Sequence, residues 1–133
     1  ATMATLGAEV TVTDLKGNLP LLKRNSDKVS SGIQVEELTW GEQLSSTLQA
    51  PYDVVVGCDI MYIREAVPAL ISTLELLADK TTRIYLAYGR NRFAEELFFE
   101  GIEGIFFMKD IPESDFDEIY SAQDVRMVLL TKL

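Results

Sequence analysis

Asp59 and Tyr62 are the two side chains of this sequence whose types and spacing best suit chemistry. They follow three valines at 54–56, a pattern typical of a parallel strand that is covered on both faces. In open α/β sheets, ligands bind beyond the carboxyl ends of the strands. A carboxylate beside an aromatic ring at that place suits a cation such as a lysine side chain. The carboxylate orients the amine, and the ring adds a cation–π contact of about 0.5–2 kcal/mol.

The competing interpretation of Asp59 is structural, because an aspartate before a helix commonly accepts hydrogen bonds as its N-cap. The helical pattern begins nearer Arg64, several residues later, and this weakens the structural interpretation. On the residues alone, the two roles remain equally open. Gly57, just before this pair, lacks a side chain and therefore predicts a close approach to the strand backbone.

Two other side chains stand at the ends of predicted strands. Asp14 ends the first strand, where a carboxylate in a nucleotide-binding α/β fold accepts hydrogen bonds from ribose hydroxyls. Taken alone, Asp14 is better explained as a cap of the following loop or as a solvated side chain. Trp40 offers a flat ring on which an adenine could stack, but core packing is the usual fate of a single tryptophan.

Composition excludes several classes of function. The 133 residues suit one domain, and no apolar run approaches the roughly 18 residues that span a bilayer. The net charge of −9 disfavours binding to nucleic acid or anionic membranes and favours a basic partner. Without histidine, and with Cys58 as the single cysteine, we predict no metal site and no internal disulfide. A reduced cysteine fits the cytoplasm, with the nucleus as the alternative.

Strand and helix patterns alternate with short polar connections, which predicts an α/β fold with a mostly parallel sheet. The predicted strands cover residues 10–13, 33–38, 52–58, 83–88, 105–109 and 125–131. Helices are predicted at 19–25, 65–78 and 91–100, the last capped by Asn91, and a capping-box pattern at Ser114 predicts a short helical turn through Tyr120. The second helix is predicted to bury one stripe, formed by Val67, Leu70, Ile71, Leu74 and Leu77.

Four short motifs occur in the order and spacing of one known family. They are Val-Thr-Val-Thr-Asp at 10–14, Leu-Pro-Leu-Leu-x-x-Asn at 19–25, Leu-Thr-Trp-Gly at 38–41 and Asp-Ile-Met-Tyr at 59–62. On these motifs the chain resembles the seven-β-strand, S-adenosylmethionine-dependent methyltransferases of the methyltransferase-like 21 group. That group methylates lysines in other proteins. The resemblance runs the whole length and implies a Rossmann-like sheet with an antiparallel C-terminal strand.

The resemblance also implies a role for each candidate residue. Asp14 would hold the ribose of S-adenosylmethionine, Trp40 would pack beside the adenine, and Cys58 would contact the cofactor. Asp59 and Tyr62 would face the target lysine. Methyl transfer from a sulfonium is an in-line displacement that needs mainly alignment and a neutral amine. A nearby aspartate can orient the ammonium group and aid its deprotonation without any histidine.

One part of the family pattern is missing. The family's first strand and its glycine-rich turn would precede Ala1, so we expect residues 1–133 to be an N-terminally incomplete methyltransferase-like domain, such as a splice form. The missing strand would lie between the strands at 10–13 and 52–58. These two strands would then pair directly with each other, or another chain would fill the gap by self-association. Otherwise the domain would be poorly stable, because buried backbone groups would stay unpaired. We expect this chain alone to bind S-adenosylmethionine weakly or not at all, with impaired methyl transfer.

Two other functions remain open at this point. The missing cofactor turn suits a catalytically silent α/β module that acts by protein–protein interaction. An acidic residue after an early strand also suits a nicotinamide-dependent dehydrogenase. That last interpretation leaves the Trp40 and Asp59–Tyr62 motifs unexplained, so the sequence favours the methyltransferase.

Overall fold

The computed structural model describes residues 2–29, 32–89, 94–119 and 124–133. The strands are β1 (Thr11–Asp14), β2 (Gln34–Glu37), β3 (Val54–Cys58), β4 (Arg83–Gly89), β5 (Phe106–Ile111) and β6 (Val125–Lys132). The helices are α1 (Thr2–Thr5), α2 (Leu19–Asp27), α3 (Val67–Leu77) and α4 (Glu95–Gly101). Short 3-10 turns lie at Lys16–Asn18, Arg64–Ala66 and Glu113–Asp115. The predicted cap Asn91 lies outside the described residues. Of the helical turn predicted from Ser114 through Tyr120, the structure shows a 3-10 turn at Glu113–Asp115, and Tyr120 itself lies outside the described residues.

The chain divides into two compact units, and the first covers residues 1–49. In this unit β1 and β2 run parallel, with Asp14 paired to Glu37. Helix α2 connects them and carries its proline in the first turn, where a missing amide N–H costs nothing. The two strands therefore end at the same edge of their sheet.

The second unit covers residues 50–133 and contains a four-stranded sheet in the order β3-β4-β6-β5. Strands β3 and β4 are parallel, whereas β6 is antiparallel to both of its neighbours, β4 and β5. The predicted α/β class and the antiparallel C-terminal strand are thus confirmed. Among the described residues, no helix is both long enough and apolar enough to cross a membrane.

Helix α3 confirms the predicted apolar stripe. All five stripe residues are buried, with exposures between 2% and 7%. The helix begins with a proline in its first turn, directly after the 3-10 turn at Arg64–Ala66. This burial anchors the segment that follows β3, and so it fixes the far end of the loop that carries Asp59 and Tyr62.

Strand β3 differs from its prediction. Val54 and Val56 are 37% and 66% exposed, and Cys58 is also exposed, so the expected coverage on both faces is wrong. Val54, Val56 and Cys58 share one face of β3 that is open, whereas Val55 and Gly57 on the other face are half-buried. Strand β3 is also an edge strand, hydrogen-bonded to β4 alone among the described strands. Alternate side chains of a strand point to opposite faces, and only one face of β3 is packed. Direct pairing of β1 with β3 is likewise absent from the described residues, where the two strands belong to separate sheets.

Candidate active site

Asp59 occupies a left-handed backbone conformation directly after β3, with φ of 58°. Its amide N–H donates to the carbonyl oxygen of Ala87 over 2.7 Å, which extends the β3–β4 ladder beyond Cys58. Aspartate and asparagine tolerate this conformation better than most residues with a Cβ atom. The turn therefore ends the strand sharply and leaves the half-buried Asp59 side chain at the carboxyl edge of the sheet.

The loop after Asp59 buries one residue and exposes the next. Met61 is 1% exposed and anchors the loop in the core, whereas Tyr62 is 54% exposed. The following 3-10 turn begins at Arg64, with Ile63 at its N-cap and no side-chain cap hydrogen bond. Asp59 is thus not the N-cap of the following helix, which was the structural role considered from the sequence.

Gly57 permits the close approach that its position predicts. A Cβ atom at Gly57 would lie 2.6 Å from Cδ1 of Ile60 and 2.9 Å from Cδ2 of Leu86, both far below van der Waals contact. The approaching groups are side chains of this same chain. Gly57 therefore lets Ile60 fold back onto the strand, which sets the start of the Asp59–Tyr62 loop.

Asp14, in the first unit, has one carboxylate oxygen engaged by its own loop. Its Oδ1 accepts hydrogen bonds from the amide of Leu15 at 2.7 Å and from Nδ2 of Asn18 at 2.9 Å. The carbonyl oxygen of Asp14 accepts from the amide of Leu38 at 3.0 Å. Within the described residues, Oδ2 accepts no hydrogen bond. Asp14 thus caps the loop, as its structural interpretation predicts, and still presents one acceptor oxygen.

Trp40 lies in the turn that follows β2 and is half-buried. The next residue, Gly41, has φ of 83°, a conformation that side chains with a Cβ rarely adopt. The indole is therefore placed after the carboxyl end of β2, beside the strand that ends at Asp14, and it is not fully enclosed by the core. Its proposed place beside an adenine stays a prediction.

The structure groups the predicted site residues by unit. In the second unit Cys58 ends β3, and Asp59 and Tyr62 are in the loop that follows it; in the first unit Asp14 ends β1, and Trp40 follows β2. Sequence reasoning missed the anchoring role of Met61, although the apolar pair Ile60 and Met61 inside the motif was a usable signal. In the described parts of the chain, no group of three metal-ligating side chains could hold an ion.

A buried tyrosine adjoins this edge of the sheet. Tyr88, in β4, is 3% exposed, and its ring lies 5.6 Å from that of Phe99, centroid to centroid. Burial raises the pKa of Tyr88 above its usual value of 10.0. The Arg126 guanidinium opposes this shift because its positive charge and its hydrogen bond to the hydroxyl both favour the ionised form. Strand pairing places Arg126 directly opposite Tyr88.

Comparison with known proteins identifies the class. A family model described as lysine methyltransferase matches residues 1–105, most of the chain. The chain therefore belongs to the lysine methyltransferase family. This confirms the resemblance that the four sequence motifs carry.

Curated relatives narrow this family membership to the methyltransferase-like 21 type. Protein N-lysine methyltransferase METTL21A of Danio rerio is 42% identical over 104 residues, which cover 71% of this chain and 48% of that protein. The Mus musculus METTL21A is 33% identical over 90% of this chain and 58% of its own length. Protein-lysine N-methyltransferase EFM6 of Saccharomyces cerevisiae is 33% identical over 95% of this chain and 56% of its own length. The chain thus spans about half the length of these relatives.

Solved structures agree on the fold. PH0226 from Pyrococcus horikoshii has a TM-score of 0.76 at 7% identity, over 99% of this chain and 75% of that one. A TehB-like SAM-dependent methyltransferase from Corynebacterium glutamicum has a TM-score of 0.75 at 15% identity, over 99% of this chain and 72% of that one. At these identities the likeness establishes the fold alone, which is Rossmann-like.

Proposed function

We propose that this protein transfers a methyl group from S-adenosylmethionine to the side-chain nitrogen of a lysine in another protein. Family membership supports the reaction class. The observation that carries the assignment of residues is the turn after β3, where Asp59 adopts a left-handed conformation and is not the N-cap of the next helix. A site that retains this conformation three residues before an exposed tyrosine suits recognition of a cation.

Asp59 and Tyr62 would bind the lysine. The carboxylate accepts a hydrogen bond from the ammonium group, orients it and helps to remove its proton, because only a neutral amine can attack the methyl carbon. The ring of Tyr62 forms a cation–π wall on the same side chain. The half-buried position of Asp59 strengthens this attraction relative to bulk water.

The cofactor, when bound, supplies a methyl group on a positively charged sulfur. Asp14 fits the ribose, because Oδ2 accepts no hydrogen bond within the described residues while Oδ1 is held by Leu15 and Asn18. A carboxylate fixed in this way is already oriented for a hydroxyl donor. Trp40 would pack beside the adenine, and the exposed Cys58 would contact the cofactor at the end of β3.

Cofactor binding by the chain alone is a separate matter. We propose that it is weak, because the family's glycine-rich turn is not among these residues. Titration calorimetry with the 133-residue chain should show no micromolar binding of S-adenosylmethionine. The positive control is an extended form, defined here as this chain preceded by the glycine-rich segment of a curated relative. Micromolar binding by the chain alone would contradict this proposal.

The lysine role is tested at Tyr62 in the extended form. Tyr62→Leu removes the ring, and methyl transfer should fall by about two- to thirtyfold, the range that a cation–π contact supplies. Tyr62→Phe keeps the ring and is the matched control, which should stay close to the original rate. Because the side chain is 54% exposed, neither change should alter thermal stability. Equal rates for the Leu and Phe variants would exclude the cation–π role.

A second candidate function is a catalytically silent module that acts by protein–protein interaction. The edge position of β3 favours it, since Val54 and Val56 are exposed and the edge invites another strand. Self-association through this edge should appear in sedimentation experiments and should disappear in Val56→Lys.

We place the protein in the cytoplasm, with the nucleus as the alternative, on the strength of its single reduced cysteine.

A further inference from the structure

The carboxyl end of β5 and the start of β6 line a groove of about 360 Å³. None of the residues proposed for methyl transfer lines this groove. The lining includes apolar side chains, among them Ile111, Phe116 and Met127. These three are half-buried, so they form a surface that another side chain can still reach. Grooves of this kind are typical places for an apolar anchor of a partner.

The charge around the groove is negative. Asp110 and Glu113 belong to its lining, and residues 110–118 contain five acidic and no basic side chains. The lining also contains Arg126, whose positive charge offsets one of these two carboxylates, so the lining keeps one net negative charge and the rest of the 110–118 segment adds three more. Charge complementarity therefore favours a basic occupant and disfavours nucleic acid.

Strand pairing fixes the distance from the groove to the candidate lysine site. Cys58 pairs with Ala87, Ala87 with Met127, and Met127 with Ile111, which makes one row across the sheet. Neighbouring strands lie about 4.8 Å apart, so three spacings place Ile111 about 14 Å from Cys58. Asp59 follows Cys58 directly. An extended peptide advances about 3.3 Å per residue and covers that distance in about four residues.

We propose that this groove docks a basic, extended segment of the same substrate protein. An apolar side chain of that segment enters between Ile111 and Phe116, and its flanking arginines or lysines face Asp110 and Glu113. The anchor then stands about four residues from the lysine that is methylated. The inference rests on the proposed function, because it assumes that a lysine binds at Asp59. It adds the substrate class, namely lysines next to an apolar residue in a basic setting.

The test is a binding assay with the 133-residue chain, which needs no cofactor. The probe is a fluorescent 12-residue peptide that carries one lysine and, four residues away, a leucine between two arginines. The paired change Asp110→Lys with Glu113→Lys should weaken binding at least about tenfold. The matched control, Glu100→Lys with Glu103→Lys, reverses two exposed charges outside the groove lining and should change binding less than about twofold.

A second pair of variants tests the apolar part. Phe116→Ala should weaken binding about fivefold or more, whereas Phe107→Ala, at a 59% exposed position outside the groove lining, should have little effect. A peptide with the leucine next to the lysine should bind more weakly. Equal affinity for both charge-reversed pairs, or for both peptides, would overturn the proposal. If the groove variants lose binding while the extended form methylates no lysine, the proposed function fails and the docking surface stands.

Discussion

Asp59 provides the sharpest test of the site because its backbone and its charge can be varied separately. The φ of 58° penalises most side chains with a Cβ, by about 1–2 kcal/mol, but asparagine tolerates it and glycine adopts it freely. Asp59→Asn therefore removes the charge and keeps the turn. Asp59→Gly removes the side chain and also keeps the turn, whereas Asp59→Ala removes the side chain and strains the turn.

The expected stabilities follow directly from this conformation. In chemical unfolding of the 133-residue chain, the Asn and Gly variants should both be more stable than the Ala variant, because only alanine strains the left-handed turn. The Ala variant should lose about 1 kcal/mol or more. An Ala variant as stable as the Gly variant would show that the left-handed conformation is not maintained in solution.

The expected activities depend on the charge alone. At a separation of about 4 Å and an effective dielectric constant of about 20, a carboxylate attracts an ammonium group by about 4 kcal/mol before desolvation costs. Loss of this charge removes both the attraction and the help in proton removal. Methyl transfer by the extended form should therefore slow by about 10²–10⁴-fold. The Asn, Gly and Ala variants should be slowed alike, while calorimetry should show unchanged cofactor binding. Methyl transfer by the Asn variant within about threefold of the original would refute the assignment of Asp59.

Three further predictions concern the framework that holds this site. Gly57→Ala should destabilise the chain by about 1–3 kcal/mol in chemical unfolding, because its Cβ would collide with the Leu86 and Ile60 side chains; an unchanged midpoint would show that those side chains can move aside. Thr82 is fully buried and its hydroxyl donates to the carbonyl oxygen of Tyr52 at 2.7 Å. Thr82→Val should therefore cost about 1–3 kcal/mol, and a neutral effect would contradict that bond. Because burial raises the pKa of Tyr88, its contribution to stability is complete below pH 10.0 and is lost as the pH rises through the folded-state pKa. Tyr88→Phe should weaken the alkaline loss of stability, and parallel pH profiles for the two proteins would count against this account.

Local signals in the sequence were sufficient for most elements of the fold. The stripe of helix α3 was predictable because each buried residue follows the helical period and no distant partner is needed to recognise it. The position of Asp59 beyond β3 was also predictable, since a β-branched run ends just before it. The class of fold followed from the alternation of such segments.

The features that escaped prediction depend on partners far away in the sequence. The valines of β3 look like a buried strand, but Val54 and Val56 lie on an open face, and no local pattern encodes which face of a strand is covered. The left-handed turn at Asp59 was also invisible, because aspartate permits this conformation without requiring it. The groove arises only when β5 pairs with β6 and brings residues 110–116 beside residues 125–127.

Transfer of an isotope-labelled methyl group from S-adenosylmethionine to a lysine-containing basic peptide tests the central claim most directly. Tandem mass spectrometry locates the label in the peptide. We predict label on the lysine side-chain nitrogen with the extended form and its near-complete loss in Asp59→Asn. An extended form that binds the cofactor by calorimetry and yet labels no lysine in the peptide or in a cell lysate would contradict it.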